Sequence, residues 1–167
     1  MTNARREKLK RVAGIDPGYG RAGVAIVGRE RGKEKLVFSK CLTTSQSLSH
    51  EKRLERIGDE VGKLLRRYRP EAVAVEKLFF AANQKTALQV AEARGVILSE
   101  AAKQNLPVHE FTPLEIKLAV TGDGRADKRQ VIAMVERLIA IKREKPQDDE
   151  YDAIAAALTL LATIRSH

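Results

Sequence analysis

Three groups of carboxylates stand out in a chain that is otherwise strongly basic. Asp16 lies in "VAGIDPGYGRAG" (12–23), where an apolar run ends and a glycine-rich turn begins. Glu76 falls near the end of a second apolar run, "EAVAVEKL" (71–78), and the acids of "PQDDEYDAIAAAL" (146–158) open an alanine-rich helical pattern. A carboxylate at the tip of a buried strand is costly unless something pairs with it, and a divalent cation held for chemistry is one such partner. A turn cap is the other reading of Asp16, because Asp often hydrogen-bonds the backbone at turns. Asp149 and Asp152 are spaced i, i+3, about 60° apart around a helix, and Asp148 and Asp152, at i, i+4, share a face equally well. Compensation of the helix dipole accounts for Asp148 in the first turn. It accounts poorly for Asp152, one turn further in and flanked by Ala153, Ile154, Ala156, Ala157 and Leu160. Four converging carboxylates stay ionised together only around cations, so the pattern predicts two divalent metals. Oxygen-only ligands favour Mg²⁺ or Mn²⁺, and such a pair activates water and stabilises the leaving oxygen in phosphodiester cleavage.

The charge balance points the same way. The chain carries 31 Lys and Arg against 22 Asp and Glu, a net charge of +9. Such an excess indicates a polyanionic partner, nucleic acid ahead of an anionic membrane, since no basic amphipathic segment with an aromatic face appears. The apolar runs are too short to span a bilayer, which excludes a membrane role. Acids set against this background would repel phosphate, and a coordinated metal gives them a reason to be there. The single cysteine, Cys41, excludes an internal disulfide and a multi-cysteine zinc site and suits a reducing cytosol. "MTNARREKLKR" (1–11) is read as a basic, flexible tail, followed by one domain over 12–167.

Several elements must position the acids. "RVAGID" (11–16), "AGVAIVG" (22–28) and "KEKLVFSKCLTT" (33–44) read as three antiparallel strands. A helix follows from about Ser49 to Tyr68, with Leu54, Ile57, Val61, Leu64 and Leu65 at helical spacing. "EAVAVEKL" and "LPVHEF" (106–111) read as buried parallel strands around a long helix over 84–105, its Leu88, Ala91 and Val96 expected to face inward. Thr112 and Pro113 signal a helix start, and two further helices follow the loop "TGDGR" (121–125). The order β-β-β-α-β-α-β-α-α-α is that of an α/β domain with a five-stranded mixed sheet, three antiparallel strands then two parallel ones, flanked by helices. With the strands of Asp16 and Glu76 side by side and parallel, their carboxylates emerge at one edge, where open α/β sheets build sites.

"GIDPGYGRAG", "VAVEKLFFAANQKTALQVAEARGVI", "FTPLEIKLAVTGDGRADKRQV" and "PQDDEYDAIAAAL" resemble, in order and spacing, the successive motifs of the RuvC family of Holliday junction endonucleases. The resemblance runs from about residue 12 to 162. It implies an RNase H-like fold and a homodimer that nicks two strands of a four-way DNA junction symmetrically in recombination and repair, using Mg²⁺ or Mn²⁺. It further implies a bacterial, cytoplasmic and nucleoid-associated enzyme that works with the branch-migration proteins RuvA and RuvB. By resemblance Asp16 and Glu76 are the two strand acids, Asp152 matches the final aspartate of the last motif, and Asp149 the acid three positions earlier. Motif register favours Asp149 over Asp148 at that third place. One metal is expected between Asp16 and the helix acids, the other between Asp16 and Glu76.

Candidate DNA contacts follow from the same motifs. Phe79 stands where the family places an aromatic near unpaired bases, and the chain has only four Phe and three Tyr; Phe80 is read as core. Lys117 and Lys128 match basic family positions on either side of the 121–125 loop, suited to holding the scissile strand. Lys77, Lys85, Arg94, Arg125 and Arg129 are expected to extend the patch. The glycines of the first turn, Gly18 among them, are expected to let the hairpin turn sharply beside the site and so leave room for a phosphate backbone. A different RNase H-like nuclease, acting on RNA–DNA hybrid or other branched DNA, and a non-catalytic junction-binding protein are the competing readings.

Overall fold

The computed structural model of the chain describes residues 10–78, 84–141 and 144–165. Five strands form one sheet: β1 (Lys10–Asp16), β2 (Arg21–Glu30), β3 (Lys33–Thr43), β4 (Ala72–Glu76) and β5 (Val108–Phe111). Their order is β3-β2-β1-β4-β5. The first three are antiparallel neighbours, whereas β1, β4 and β5 run parallel. The expected mixed sheet is therefore present, with the strands of Asp16 and Glu76 adjacent. β1 begins at Lys10, one residue before the strand read from sequence and inside the stretch read as a tail. Opposite Ile26 and Val27 the register between β2 and β3 slips, leaving Val37 as the extra residue of a bulge in the edge strand β3.

Two helical layers cover the sheet. Helices α1 (His50–Tyr68) and α2 (Gln84–Lys103) lie on one face, where Ile15, Val24, Ile26, Val73 and Val75 meet Ile57, Val61, Leu65 and Ile97. Helices α3 (Pro113–Thr121), α4 (Lys128–Leu138) and α5 (Asp148–Arg165) lie on the other, against Val12, Ala25, Val27, Ala72 and Ala74. In α1 the expected inward residues are buried or partly buried. In α2 the expectation fails for Leu88, which is 64% exposed; Ala93, Ile97 and Ala101 are its buried positions. This helix carries apolar side chains on more than one side, so the spacing alone does not select its inner face.

The last helix sits unusually close to the sheet. A Cβ added to Gly14 would lie 2.0 Å from the Ala153 carbonyl oxygen, and one added to Gly23 1.8 Å from that of Asp149. These two glycines let the α5 backbone rest directly on β1 and β2. The first turn of α5 is tied down as well: Ser39 Oγ donates to Glu150 Oε2 (2.7 Å), and Tyr151 Oη donates to Glu136 Oε1 (2.6 Å).

Candidate active site

Strand alternation decides which side chains meet α5. Successive residues of a strand point to opposite faces. In β1, Val12 and Gly14 face α5, and so the same parity sends Asp16 there; in β4, Ala72 and Ala74 place Glu76 likewise. In β2, Gly23 and Ala25 set the phase for Arg21, and in β3, Ser39 sets it for Cys41. Asp16 pairs with Gly23 across the ladder, and Gly23 touches Asp149. The acids of the strands and those of the helix are thereby brought to one end of the sheet.

The electrostatics record this convergence. The Asp16 carboxyl is pushed up to about 8, first by burial and then by the charges of Asp152, Glu76 and Asp149, with Lys128 opposing them. Glu76 is also raised, by burial and then by Asp152, while Lys128 and Lys117 pull it down. Burial raises Asp152 too, against the hydrogen bond and charge of Lys128. Asp16 is thus the common neighbour of the other three acids. Glu76 and Asp152 line a cavity of about 250 Å³ together with Lys117, Lys128, Pro113 and Ile116. A larger groove, about 840 Å³, runs along β3 and contains none of these residues.

Capped helices hold the two lysines. Thr112 caps α3 by accepting from the Glu115 N–H, and the Glu115 carboxylate accepts from the Thr112 N–H in return, with Pro113 opening the helix. Asp127 and Gln130 form the same reciprocal box at the start of α4, fixing Lys128 in its first turn. Lys128 then forms an ion pair with Asp152.

The four helix-terminal acids have separate fates. Asp148 is exposed, and Glu150 is buried and spent on Ser39. Asp149 accepts an ion pair from Arg21 at 2.6 Å and a hydrogen bond from the Cys41 thiol at 3.7 Å, both on Oδ2. The Cys41 thiol is itself pushed up to about 11, by burial and then by Asp149. As they stand, no three His, Cys, Asp or Glu side chains among the described residues are gathered tightly enough to hold an ion. The donor set nevertheless fits hard cations. Its ligands are all oxygens, three of its carboxyls sit above their ordinary range through burial first and the neighbouring acids second, and a divalent ion would favour their charged forms.

The profile of crossover junction endodeoxyribonuclease RuvC matches residues 12–160. The chain belongs to the RuvC family. RuvC of Thermosipho melanesiensis is 42% identical over 155 residues, 93% of this chain and 99% of that one. RuvC of Fusobacterium nucleatum is 39% identical over 156 residues, covering 93% and 82% respectively. The structure of Thermus thermophilus RuvC in complex with a Holliday junction substrate matches with a TM-score of 0.88 at 35% identity, over 94% of this chain and 96% of that one. The sheet and helices described above are the RNase H-like fold of RuvC, and the activity that belongs to the family is that of a crossover junction endodeoxyribonuclease. RuvC nucleases are metal-dependent.

Within this RuvC-family chain the residues expected at the DNA are placed differently from one another. Lys117 and Lys128 line the acid cavity. Arg125 is exposed in the loop between α3 and α4, its N–H donating to Asp123 Oδ1 at 2.8 Å, and does not line that cavity. Phe79, Phe80 and the side chain of Lys85 lie outside the described residues. Arg94 is not part of an open patch: it donates to Glu110 Oε1 (2.6 Å) and to the Glu76 carbonyl (3.4 Å), bracing the end of β4. At Gly18 the expected sharp turn is present. A Cβ there would meet the Arg21 carbonyl oxygen at 1.8 Å, so the turn itself excludes a side chain. Arg21, Cys41 and Arg94 were missed as neighbours of the acids, although strand parity counted from Asp16 and Gly23 points to the first two. Among the described residues no helix is long and apolar enough to cross a membrane.

Proposed function

We propose that this protein resolves Holliday junctions by paired, symmetric hydrolysis of two phosphodiester bonds, with Asp16, Glu76, Asp149 and Asp152 as the acids of each active site. The observation that carries the reading is the crowding of half-buried carboxyls around Asp16 beside Lys117 and Lys128. Two Mg²⁺ or Mn²⁺ ions held there would supply activation of the attacking water and stabilisation of the departing 3′ oxygen. Asp16, neighbour to all the other acids, is the shared ligand; Glu76 completes one place, and Asp149 with Asp152 the other. Asp149 rather than Asp148 takes the third position, because it neighbours Asp16 whereas Asp148 is exposed.

Lys117 and Lys128, mounted on capped helices at the cavity rim, hold the scissile strand by its phosphate. Arg125 and Lys85 extend that contact, and Phe79 stacks on unpaired bases at the crossover. Symmetric nicking requires two sites, hence a homodimer, for which α2 with its exposed Leu88 is the proposed surface. The RuvC complex with a Holliday junction supports the same substrate here, and RuvA and RuvB are the proposed partners. A cytoplasmic, nucleoid-associated site of action goes with that substrate.

The test is Asp16→Asn, assayed on a synthetic four-way junction, a linear duplex and an RNA–DNA hybrid with Mg²⁺. Wild type should nick the junction in pairs and spare the other two. The variant should lose at least about 100-fold in cleavage rate while still shifting the junction in a gel. Substantial residual cleavage would overturn the site, and preferential cleavage of the hybrid would overturn the substrate.

A further inference from the structure

Arg21 begins β2 on the face that carries Asp16, so its guanidinium reaches the acid cluster from the sheet whereas Lys128 comes from α4. It meets Asp149 Oδ2 at 2.6 Å, the oxygen to which Cys41 also donates, yet the Arg21 side chain stays 56% exposed against 19% for Asp149. Both acids that α5 contributes are thus engaged by a cation, Asp152 by Lys128 and Asp149 by Arg21. A guanidinium this close repels a divalent ion approaching the same carboxylate. It is also the group best shaped to grip a phosphate, through two parallel N–H bonds, and its exposure lets it turn outward at little cost.

We propose that Arg21 is the resident counter-ion of Asp149 and exchanges it for a DNA phosphate, so that junction binding frees Asp149 for metal and the two binding events are coupled through this side chain. The inference rests on the reading of Asp149 as a metal ligand. Coupling of this kind is reciprocal: DNA tightens metal binding by the same factor by which metal tightens DNA. Without DNA, Arg21 holds the site in a low-affinity state. Loss of its charge then raises metal affinity in the free protein, the opposite of what loss of a merely supporting contact would do.

The experiment is Mn²⁺ titration, read by the electron paramagnetic resonance signal of free Mn²⁺. It is run on the full chain alone and with a junction whose scissile linkages are nuclease-resistant N3′→P5′ phosphoramidates, which keep the phosphate charge. Arg21→Gln should bind Mn²⁺ about three- to fivefold more tightly than wild type in the absence of DNA, the range expected for removing one exposed ion pair. The tightening that the junction produces should shrink by the same factor, and Arg21→Lys, which keeps the charge, should stay near wild type. Unchanged or weaker Mn²⁺ binding by Arg21→Gln, with the variant folded by circular dichroism, overturns the proposal; Arg21→Ala, which should shift in the same direction, guards against a peculiarity of one substitution. Asp16→Asn separates the two readings. If it retains wild-type Mn²⁺ affinity, the acid cluster is not the metal site and this inference falls with it. If it loses Mn²⁺ while Arg21→Gln is unchanged, only the role of Arg21 falls.

Discussion

Under α3 to α5 the sheet presents Val12 and Val27 but otherwise only Gly14, Gly23, Ala25, Ala72 and Ala74, while under α1 and α2 it presents Ile15, Val24, Ile26, Val73 and Val75 beside Ala13 and Ala22. The bulky face stabilises mainly through area, each buried branched side chain contributing about 1.5–3 kcal/mol. The small face gives up some of that area for proximity. With no side chain between them, the backbone of α5 and the backbones of β1 and β2 fix each other's position, and Asp149 and Asp152 are set relative to Asp16 with little freedom to slide. Both faces of the sheet bury a core, and the face under α5 also holds the chemistry in register.

Substitutions that exchange these properties should separate stability from activity. The largest effect is expected from Gly23→Ala, whose new methyl would meet the Asp149 carbonyl oxygen at 1.8 Å and must push α5 off the sheet. We expect about 3 kcal/mol or more of lost stability in chemical denaturation. Among molecules that still fold, junction cleavage should fall at least about 100-fold, since a displacement near 1 Å at a reacting centre has that cost. On the opposite face, Ile97→Ala opens a cavity beneath α2 and should cost about 2–5 kcal/mol in the same assay. Below its melting temperature its kcat per folded molecule should stay close to wild type; a drop like that of Gly23→Ala would mean that the two faces are not separable.

A smaller effect follows from Asp16. Its carboxyl titrates near 8 in the folded protein against an ordinary value of 3.8, so between those values the folded state binds more protons than the unfolded chain. Stability must then fall as pH rises through that window. With EDTA present, the melting temperature should decline from pH 5 to pH 8.5, Asp16→Asn should flatten the decline, and Mg²⁺ should reduce it. A melting temperature that rises over this range would contradict the crowding of acids around Asp16. The smallest effect belongs to Thr112→Ala, which removes one side of the capping box of α3 and should cost about 1 kcal/mol. Lys117 on that helix would lose part of its support, so the KM for junction should rise more than kcat falls.

Much of the small face was legible in the sequence. The hairpin, the parallel strand of Glu76 and the capped helices carry local signals, and the parity that turns Asp16 and Glu76 to one side is written in the alternation of their strands. The reason for Gly14 and Gly23 was not legible, because a glycine that admits a helix from the other end of the chain leaves no local trace. Arg21 was passed over for a related reason: its partner Asp149 is remote in sequence, and an isolated arginine in a chain with 31 basic residues attracts no notice. Leu88 was misplaced because α2 is apolar on several sides, so helical spacing fits more than one inner face. At Gly18 the sharp turn was legible from the local glycines, whereas the carbonyl three residues on that excludes a side chain there is seen only in the folded turn.

The edge strand β3 has a further consequence, one for the behaviour of the protein in a crowded solution. Eleven residues of β3 form one border of the sheet, and a sheet border is where a foreign strand can add on. Lys33, Lys35 and Lys40 are exposed along it, and the bulge at Val37 interrupts its repeat. A second molecule laid alongside would have to bury like charges and match an irregular ladder. The same lysines, part of the chain's net positive charge, therefore discourage self-templated aggregation.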